Sequence, residues 1–341
     1  MDIKRKPEFN IMTDMLIVLL VAAVVAVYYY GMRAAAVIAV TVIVSAVTDL
    51  VCLRLRKKEP DRKDFSAVIT GLTLGLMMSA AVPYPEAAAA AIFAVAVAKH
   101  AFGGHGCEIF NPAAVGFLFA SLCFPENMLT YPRFFTDIPM SSVVPSDILT
   151  QSMAKTLLVT GTSSVSLIDV LTGRFTGPMG TGFVVLLAVA AVFLMLRRSI
   201  SAITFFTELA VMGLYAFIYY GFDPMAVLYF FSGGMTLFGM IFLSCDYSVS
   251  PRTASSRFLY GLAVSICVIM FSSYSGTENA VVYAMIISSP IGIELDRRAL
   301  SFADMLKKRK KRKGRVLHRK TNKLLGSISE TLEMLDKDDK R

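Results

Sequence analysis

Hydrophobic residues in this chain come in unbroken runs, not in stripes. Runs with few or no charges occupy roughly 11–32, 34–53, 66–82, 85–101, 112–124, 179–196, 199–220, 224–244, 257–273 and 279–294. A helix on the surface of a soluble domain would interrupt such runs with polar residues every 3.6 positions. Most of these runs instead have the ~20-residue length that crosses a ~30 Å hydrocarbon core at 1.5 Å per residue. A membrane β-barrel would show alternating strands of about ten residues, and none is visible. In lipid the backbone must satisfy its own hydrogen bonds, which leaves the helix. The pattern therefore predicts an all-α polytopic membrane protein with about ten transmembrane helices.

The order of the runs carries further information. Five spans (11–124) precede a 54-residue segment from Pro125 to Pro178, and five more (179–298) follow it. Because five is odd, the second set enters the membrane with opposite topology. This predicts a 5+5 inverted repeat, an architecture whose sites lie between the repeats. A faint internal echo agrees. Gly71, Thr73 and Gly75 of the third span resemble Gly234, Thr236 and Gly239 of the eighth, with one residue inserted. Small residues at such positions also serve close helix packing. The 125–178 loop is far longer than the other connections and holds five prolines. Long connections of this kind are usually functional or disordered. Its middle, from Lys155, is apolar enough to fold against the bundle.

Charge fixes the expected orientation. The formal net charge is +9. With residues 1–10 inside and ten crossings, 30 of the 34 Lys and Arg fall on the N-terminal side, leaving Arg33, Arg133, Lys155 and Arg174 on the other. Positive-inside bias then predicts a multi-pass membrane protein with both termini cytoplasmic and the 125–178 loop outside. The tail, 299–341, carries KKRKKRKGRVLHRK from Lys307. A basic run just past the last span fits anionic lipid. No aromatic residue interleaves it, which argues against nucleic acid as a partner. The five cysteines form no CxxC pair and no disulfide framework, so they predict no zinc or iron–sulfur site.

Three places hold candidate chemistry. FGGHGCEIFNPAAVG, from Phe102, places Gly103, Gly104 and Gly106 before a helix start at Asn111 and Pro112. Glycines allow the backbone to approach a bound group, and a helix N-terminus favours electron-rich ligands. A tight re-entry turn without a ligand explains the same residues, and His105 alone is a weak ligand candidate. LSCDYSVSPRTASSR, from Leu243, sets Asp246 at a membrane boundary, as a ligand or as a turn-capping residue. Glu208 lies well inside the seventh span, with Arg198 roughly three turns away. An acid there marks an ion or proton path, or forms a protonated hydrogen bond to a neighbouring helix.

The FGGHG…FNPA segment, GPMGTG at Gly177 and the stretch from Gly233 to CDYSVSP, in that order, resemble the family of Rnf D-type and Nqr B-type subunits, which belong to ion-translocating redox complexes. The family pattern reads GGxGxNxFNPA, a GxxGE-like stretch, then GG…TDPVTSP. Here Glu108 stands for the first Asn, Thr181 for the Glu and Tyr247 for the first Pro. The likeness spans about residues 10–298. It implies a flavoprotein subunit of a complex that couples electron flow between ferredoxin and NAD to Na⁺ or H⁺ movement. Members carry FMN joined through its phosphate to a threonine in the outer loop, in a pattern like DGxSGAT. Some also bind riboflavin noncovalently among the spans. The matching segment here is Thr160-Gly161-Thr162-Ser163-Ser164-Val165-Ser166, with Ser166 at the acceptor position. Attachment implies a flavin transferase. The lack of a nucleotide fingerprint and of a cluster motif implies other membrane and peripheral subunits as partners. From the residues alone, an inverted-repeat transporter or channel without a redox role remains the competing reading.

Overall fold

The computed structural model describes residues 8–59, 61, 64–141, 144–160, 165–246, 250–275, 278–299 and 301. Among them helices dominate, and the only strands are the two-residue pair Tyr131–Pro132 and Leu149–Thr150, antiparallel. Glu8–Leu55 is written as one helix of 48 residues, but Gly31 breaks it with φ 71 and ψ −162. That backbone is left-handed, a region glycine enters without Cβ strain. The two halves fold back on each other, as their contacts with the Ser66–Met77 helix show. Met15 and Leu19 line one cleft with Thr70 and Thr73. A Cβ on Gly71 would meet Val42 Cα at 2.6 Å, and one on Gly75 would meet Ile38 Cα at 3.2 Å. Residues 15 and 42 would stand about 40 Å apart on a straight helix. They flank one short helix instead. The pattern expected a span boundary at 33, and the break falls two residues earlier.

Among the described residues, three helices are long and apolar enough to cross a membrane: Asn10–Leu55, Ala202–Tyr219 and Ala254–Tyr274. The pair Pro224–Ser232 and Thr236–Ser244, bent by 60°, passes the same test when taken together. Ser66–Met77, Pro112–Cys123 and Val184–Leu196 are apolar but shorter, and helical residues also run from 280 to 299. The protein is thus mostly helical with the character of a polytopic membrane protein. Several runs that read as continuous in sequence are interrupted. Ser66–Met77 stops before the turn at 78–83, and Tyr84–Phe93 continues as a π-helix, Ala94–His100. Gly233–Met235 breaks the run that begins at Pro224, and the second piece ends in a π segment, Met240–Ser244. Hydropathy is blind to these breaks because the residues in them are as apolar as their neighbours.

The long loop is built, not open. It contributes the helices Met153–Thr160 and Leu167–Thr172, with Met153, Leu157 and Val170 buried against the bundle. Arg33, fully buried, clamps it. Its guanidinium donates to the carbonyls of Ala80 (2.8 Å), Ala81 (3.2 Å) and Pro139 (2.6 Å), and to that of Ser141. Tyr29 Oη donates to Thr172 O and Tyr30 Oη to Gly177 O. All of these contacts lie at the Gly31 end of the bundle. The echoed glycines serve close packing, since a Cβ on Gly239 would meet Val281 Cγ1 at 2.7 Å, much as Gly71 meets Val42.

Candidate functional site: a cleft where two loop motifs meet

At the end of the bundle opposite the long loop, two segments that are distant in sequence share one hydrogen bond. Asn111 is the N-cap of the Pro112–Cys123 helix, and its side-chain oxygen accepts from Ala113 N (3.0 Å) and Ala114 N (3.3 Å). The same side chain turns its amide outward. Nδ2 donates to Asp246 Oδ2 at 3.1 Å and reaches Phe242 O at 3.5 Å. One residue thus satisfies a helix start and holds the carboxylate of the second motif. Asn111 is 5% exposed, so its donors have few other partners.

The glycine loop leads into this cap. Gly103, Gly104 and Gly106 have φ of 130, 96 and 82, so the turn depends on residues without a Cβ. Under it lies a buried polar network. Lys99 Nζ donates to Asp49 Oδ1 and to Ser66 Oγ, each at 2.7 Å, and His100 Nε2 stands 2.8 Å from the same Asp49 oxygen. Lys99 is 1% exposed, and a lysine is almost never that buried without a partner. Above the network, His105 Nδ1 lies 3.6 Å from Glu108 Oε1. That carboxylate holds the imidazole above its ordinary range, against the opposing effect of burial.

These parts enclose a cleft of about 660 Å³ of empty space, partly open to solvent. Met12, Met15, Leu19 and Phe242 give it an apolar floor, and Thr70, His105, Glu108, Asn111 and Asp246 give it a polar rim. Its lining is that of a small-molecule site, apolar with a few convergent polar groups. Of the residues singled out in the sequence, Asn111, Pro112 and Asp246 come together here, bordered by the loop of Gly103, Gly104 and Gly106. Asp49, Lys99 and Thr70 carried no recognisable motif.

Ser166 lies at the other end. It caps the Leu167–Thr172 helix, accepting from Asp169 N at 3.2 Å and donating to Asp169 Oδ2 at 2.6 Å. It is exposed. Next to it, Val165 O accepts from Tyr229 Oη at 2.6 Å. Tyr229 also lines a smaller cleft of about 310 Å³ with Leu157, Tyr220, Gly234 and Glu278. Met15 at the first cleft and Tyr29, bonded to Thr172, are separated by about 20 Å along one helix. Gly161, Ser163 and Tyr247 lie outside the described residues, as does the basic tail from Lys307. The GPMGTG segment packs against the C-terminal end of the Ser66–Met77 helix, where Gly180 N donates to Leu76 O at 2.7 Å and Met179 N to Met78 O at 3.1 Å.

Two acids went unremarked in the sequence. Asp14, 1% exposed in the first helix, accepts from Arg197 at 3.0 Å and from Ser199 Oγ at 2.5 Å. Glu278 accepts from Tyr131 Oη at 3.0 Å and from Ser152 Oγ, tying the last helical segment to the long loop. Burial pushes its carboxyl up to about 7, against the lowering effects of the Tyr131 hydrogen bond and Lys155.

The model of the NQR2, RnfD, RnfE family matches residues 4–296. The chain is 28% identical over 253 residues to the D-type subunit of the Na⁺-translocating ferredoxin:NAD⁺ oxidoreductase complex of Acetobacterium woodii, covering 73% of this chain and 76% of that protein. It is 24% identical over 263 residues to the D-type subunit of the proton-translocating ferredoxin:NAD⁺ oxidoreductase complex of Clostridium ljungdahlii, covering 75% and 79%. It is 27% identical over 272 residues to the D-type subunit of the ion-translocating oxidoreductase complex of Alcanivorax borkumensis, covering 72% and 78%.

Proposed function

The chain belongs to the NQR2, RnfD, RnfE family, and from that premise we propose that it is the D-type membrane subunit of an ion-translocating, Rnf-type redox complex. In this reading it carries electrons between ferredoxin and NAD sites on partner subunits while Na⁺ or H⁺ moves. The single observation that supports it best is the Asn111–Asp246 hydrogen bond, which joins two family-like segments 135 residues apart at one cleft. The full reading has ten spans in a 5+5 inverted repeat, both termini cytoplasmic and the 125–178 loop outside. The cleft then faces the cytoplasm.

The lining of the cleft suits a noncovalent flavin such as riboflavin. Its apolar floor suits a fused aromatic ring, while Asn111, His105, Glu108 and Asp246 offer both donors and acceptors to the polar edge of that ring. A flavin supplies one- or two-electron transfer when bound. Ser166 fits covalent FMN at the outer face. Its hydroxyl is exposed, so a flavin transferase can reach it, and the Asp169 carboxylate that already accepts its proton is placed to orient Oγ for phosphoester formation. Tyr229, whose Oη donates to the neighbouring Val165 O, brings aromatic surface to the position. In this arrangement the two flavins sit at opposite ends of the bundle, and partner subunits complete the route. The basic tail rests on anionic inner-leaflet lipid.

Two measurements test the proposal. Protein purified from its native host, or made with a competent flavin transferase, should show flavin absorption. After denaturation, part of the fluorescence should stay with the chain on a gel, and Ser166→Ala should abolish that part while sparing the extractable flavin. Wild-type protein with neither signal would leave the family membership intact and favour a transporter without a redox role.

A further inference from the structure

Glu208 occupies the second turn of the Ala202–Tyr219 helix and is wholly buried. Its Oε2 lies 2.7 Å from Ser244 Oγ, and its Oε1 has no hydrogen-bond partner. Ser244 Oγ is also 2.9 Å from the carbonyl of Met240. A hydroxyl has one hydrogen to donate, so it cannot serve both acceptors. If it serves the Met240 carbonyl, the short contact between Oγ and Oε2 needs a second hydrogen, and that hydrogen belongs to Glu208. A carboxylic acid protonated on Oε2 satisfies all three oxygens. A carboxylate leaves one acceptor empty and buries a charge without a counter-ion.

The surroundings give this acid a way out. Met240–Ser244 is a π segment, a distortion that recurs at functional positions. Ser244 lies two residues before Asp246, whose carboxylate lines the cleft. The other titratable and charged groups acting here are Tyr260 on the Ala254–Ser275 helix, Cys245, Asp246 and Arg257. Gly261 permits close approach of that helix, since a Cβ there would meet Thr204 O at 3.1 Å and Thr207 Cβ at 3.2 Å, in the turn that leads to Glu208.

We propose that Glu208 is a proton-carrying site within the bundle, exchanging its proton through Ser244 with the cleft that Asp246 lines. On release, the Oε2–H bond breaks as its proton passes to Ser244 Oγ, and the hydroxyl hydrogen that Oγ held toward the Met240 carbonyl leaves for water in the cleft. The hydrogen now on Oγ faces Oε2 and steadies the carboxylate. Uptake reverses both movements, and no electron changes hands. The site deepens the ion-translocating reading and rests on it. Its test requires neither flavin nor turnover, so each can fail alone.

Dicyclohexylcarbodiimide adds to protonated carboxyls in apolar surroundings and leaves a stable acylurea. Full-length protein in native-host membranes is treated with it at acid, neutral and alkaline pH, and the peptides are weighed. The expected result is an adduct on Glu208 that declines as pH rises and is lost in Glu208→Gln. Ser244→Ala removes the donor that steadies the carboxylate, so its labelling should persist to a pH about one unit higher. Ser244→Thr, which keeps a hydroxyl, should follow the wild type. The idea is overturned if Glu208 stays unlabelled at every pH. Protection by Na⁺ at fixed pH also overturns it, because the carboxyl would then be a cation ligand. An unchanged profile in Ser244→Ala removes the relay.

Discussion

Asn111 and Asp246 stand 3.1 Å apart, and the amide that joins them belongs to a side chain already spent on capping a helix. The two duties separate by substitution. Asn111→Asp keeps the capping oxygen but faces Asp246 with a second acceptor. Asn111→Ala loses both. The cap is worth about 1 kcal/mol, and a buried acceptor left without its donor costs about 1–3 kcal/mol. Thermal unfolding in detergent should rank the proteins wild type, then Asn111→Asp, then Asn111→Ala. Extractable flavin should fall in both variants. Normal retention in Asn111→Asp would detach Asp246 from the cleft's function.

The Lys99–Asp49 pair makes a second case. Lys99→Met strands a buried carboxylate, which the remaining contact with His100 relieves only in part, and should cost about 3–5 kcal/mol. Lys99→Met combined with Asp49→Leu removes both charges and should recover most of the loss. A double variant no more stable than the single one would show that the network holds the glycine loop by shape, not by charge.

Glu278 predicts a pH dependence at the outer loop. Its carboxyl titrates near 7 in the folded protein and near 4.5 when freed, so the docked loop favours the protonated form. The stabilisation is full below about 4.5 and is lost as pH rises through 7. Over that window it amounts to about 3 kcal/mol. Protease cleavage within 144–160 should therefore quicken from mildly acid to mildly alkaline pH, and Glu278→Gln should flatten the response. Cleavage that slows with rising pH would contradict it.

Arg33 holds the same loop by geometry. Arg33→Lys keeps the charge but offers a single point donor to carbonyls that now meet a planar fork. It should lower stability by about 1–3 kcal/mol and raise loop cleavage at every pH, unlike the Glu278 variant. Equal cleavage of Arg33→Lys and wild type would exclude the clamp.

Orientation is open to labelling. In a cysteine-free background, Val159→Cys, on a residue 76% exposed in the loop, should react with an impermeant maleimide on intact cells. Glu59→Cys, exposed at the cleft end, should react only after lysis. The reverse pattern would invert the topology.

Local features were legible in the sequence and distant pairings were not. Asn111-Pro112 reads as a helix start because a cap is settled within four residues. Nothing near Asn111 announces Asp246. Glu208 stands out because an acid in an apolar run is conspicuous, while its partner Ser244 looks like any small residue. Lys99 and Arg33 read as connection charges on opposite faces. Both are buried, because Asp49 lies 50 residues before Lys99 and the carbonyl ring around Arg33 comes from residues 80–82 and 139–141. Glu278 and Asp14 passed unremarked for the same reason. The interrupted spans escaped because a π turn and a glycine break change geometry without changing hydropathy.

Both loop motifs that meet at the cleft arrive from π-helices, Ala94–His100 and Met240–Ser244. Such a stretch accommodates one residue more than an α-helix of the same rise would. Deleting a single residue from either should let the helix close up to α with what lies beyond it left in place, whereas a deletion in an α stretch would turn everything beyond it by about 100°. Only the second kind would swing Asn111 or Asp246 away from its mate although neither had been altered. At these two places the protein can spare a residue that an ordinary helix cannot.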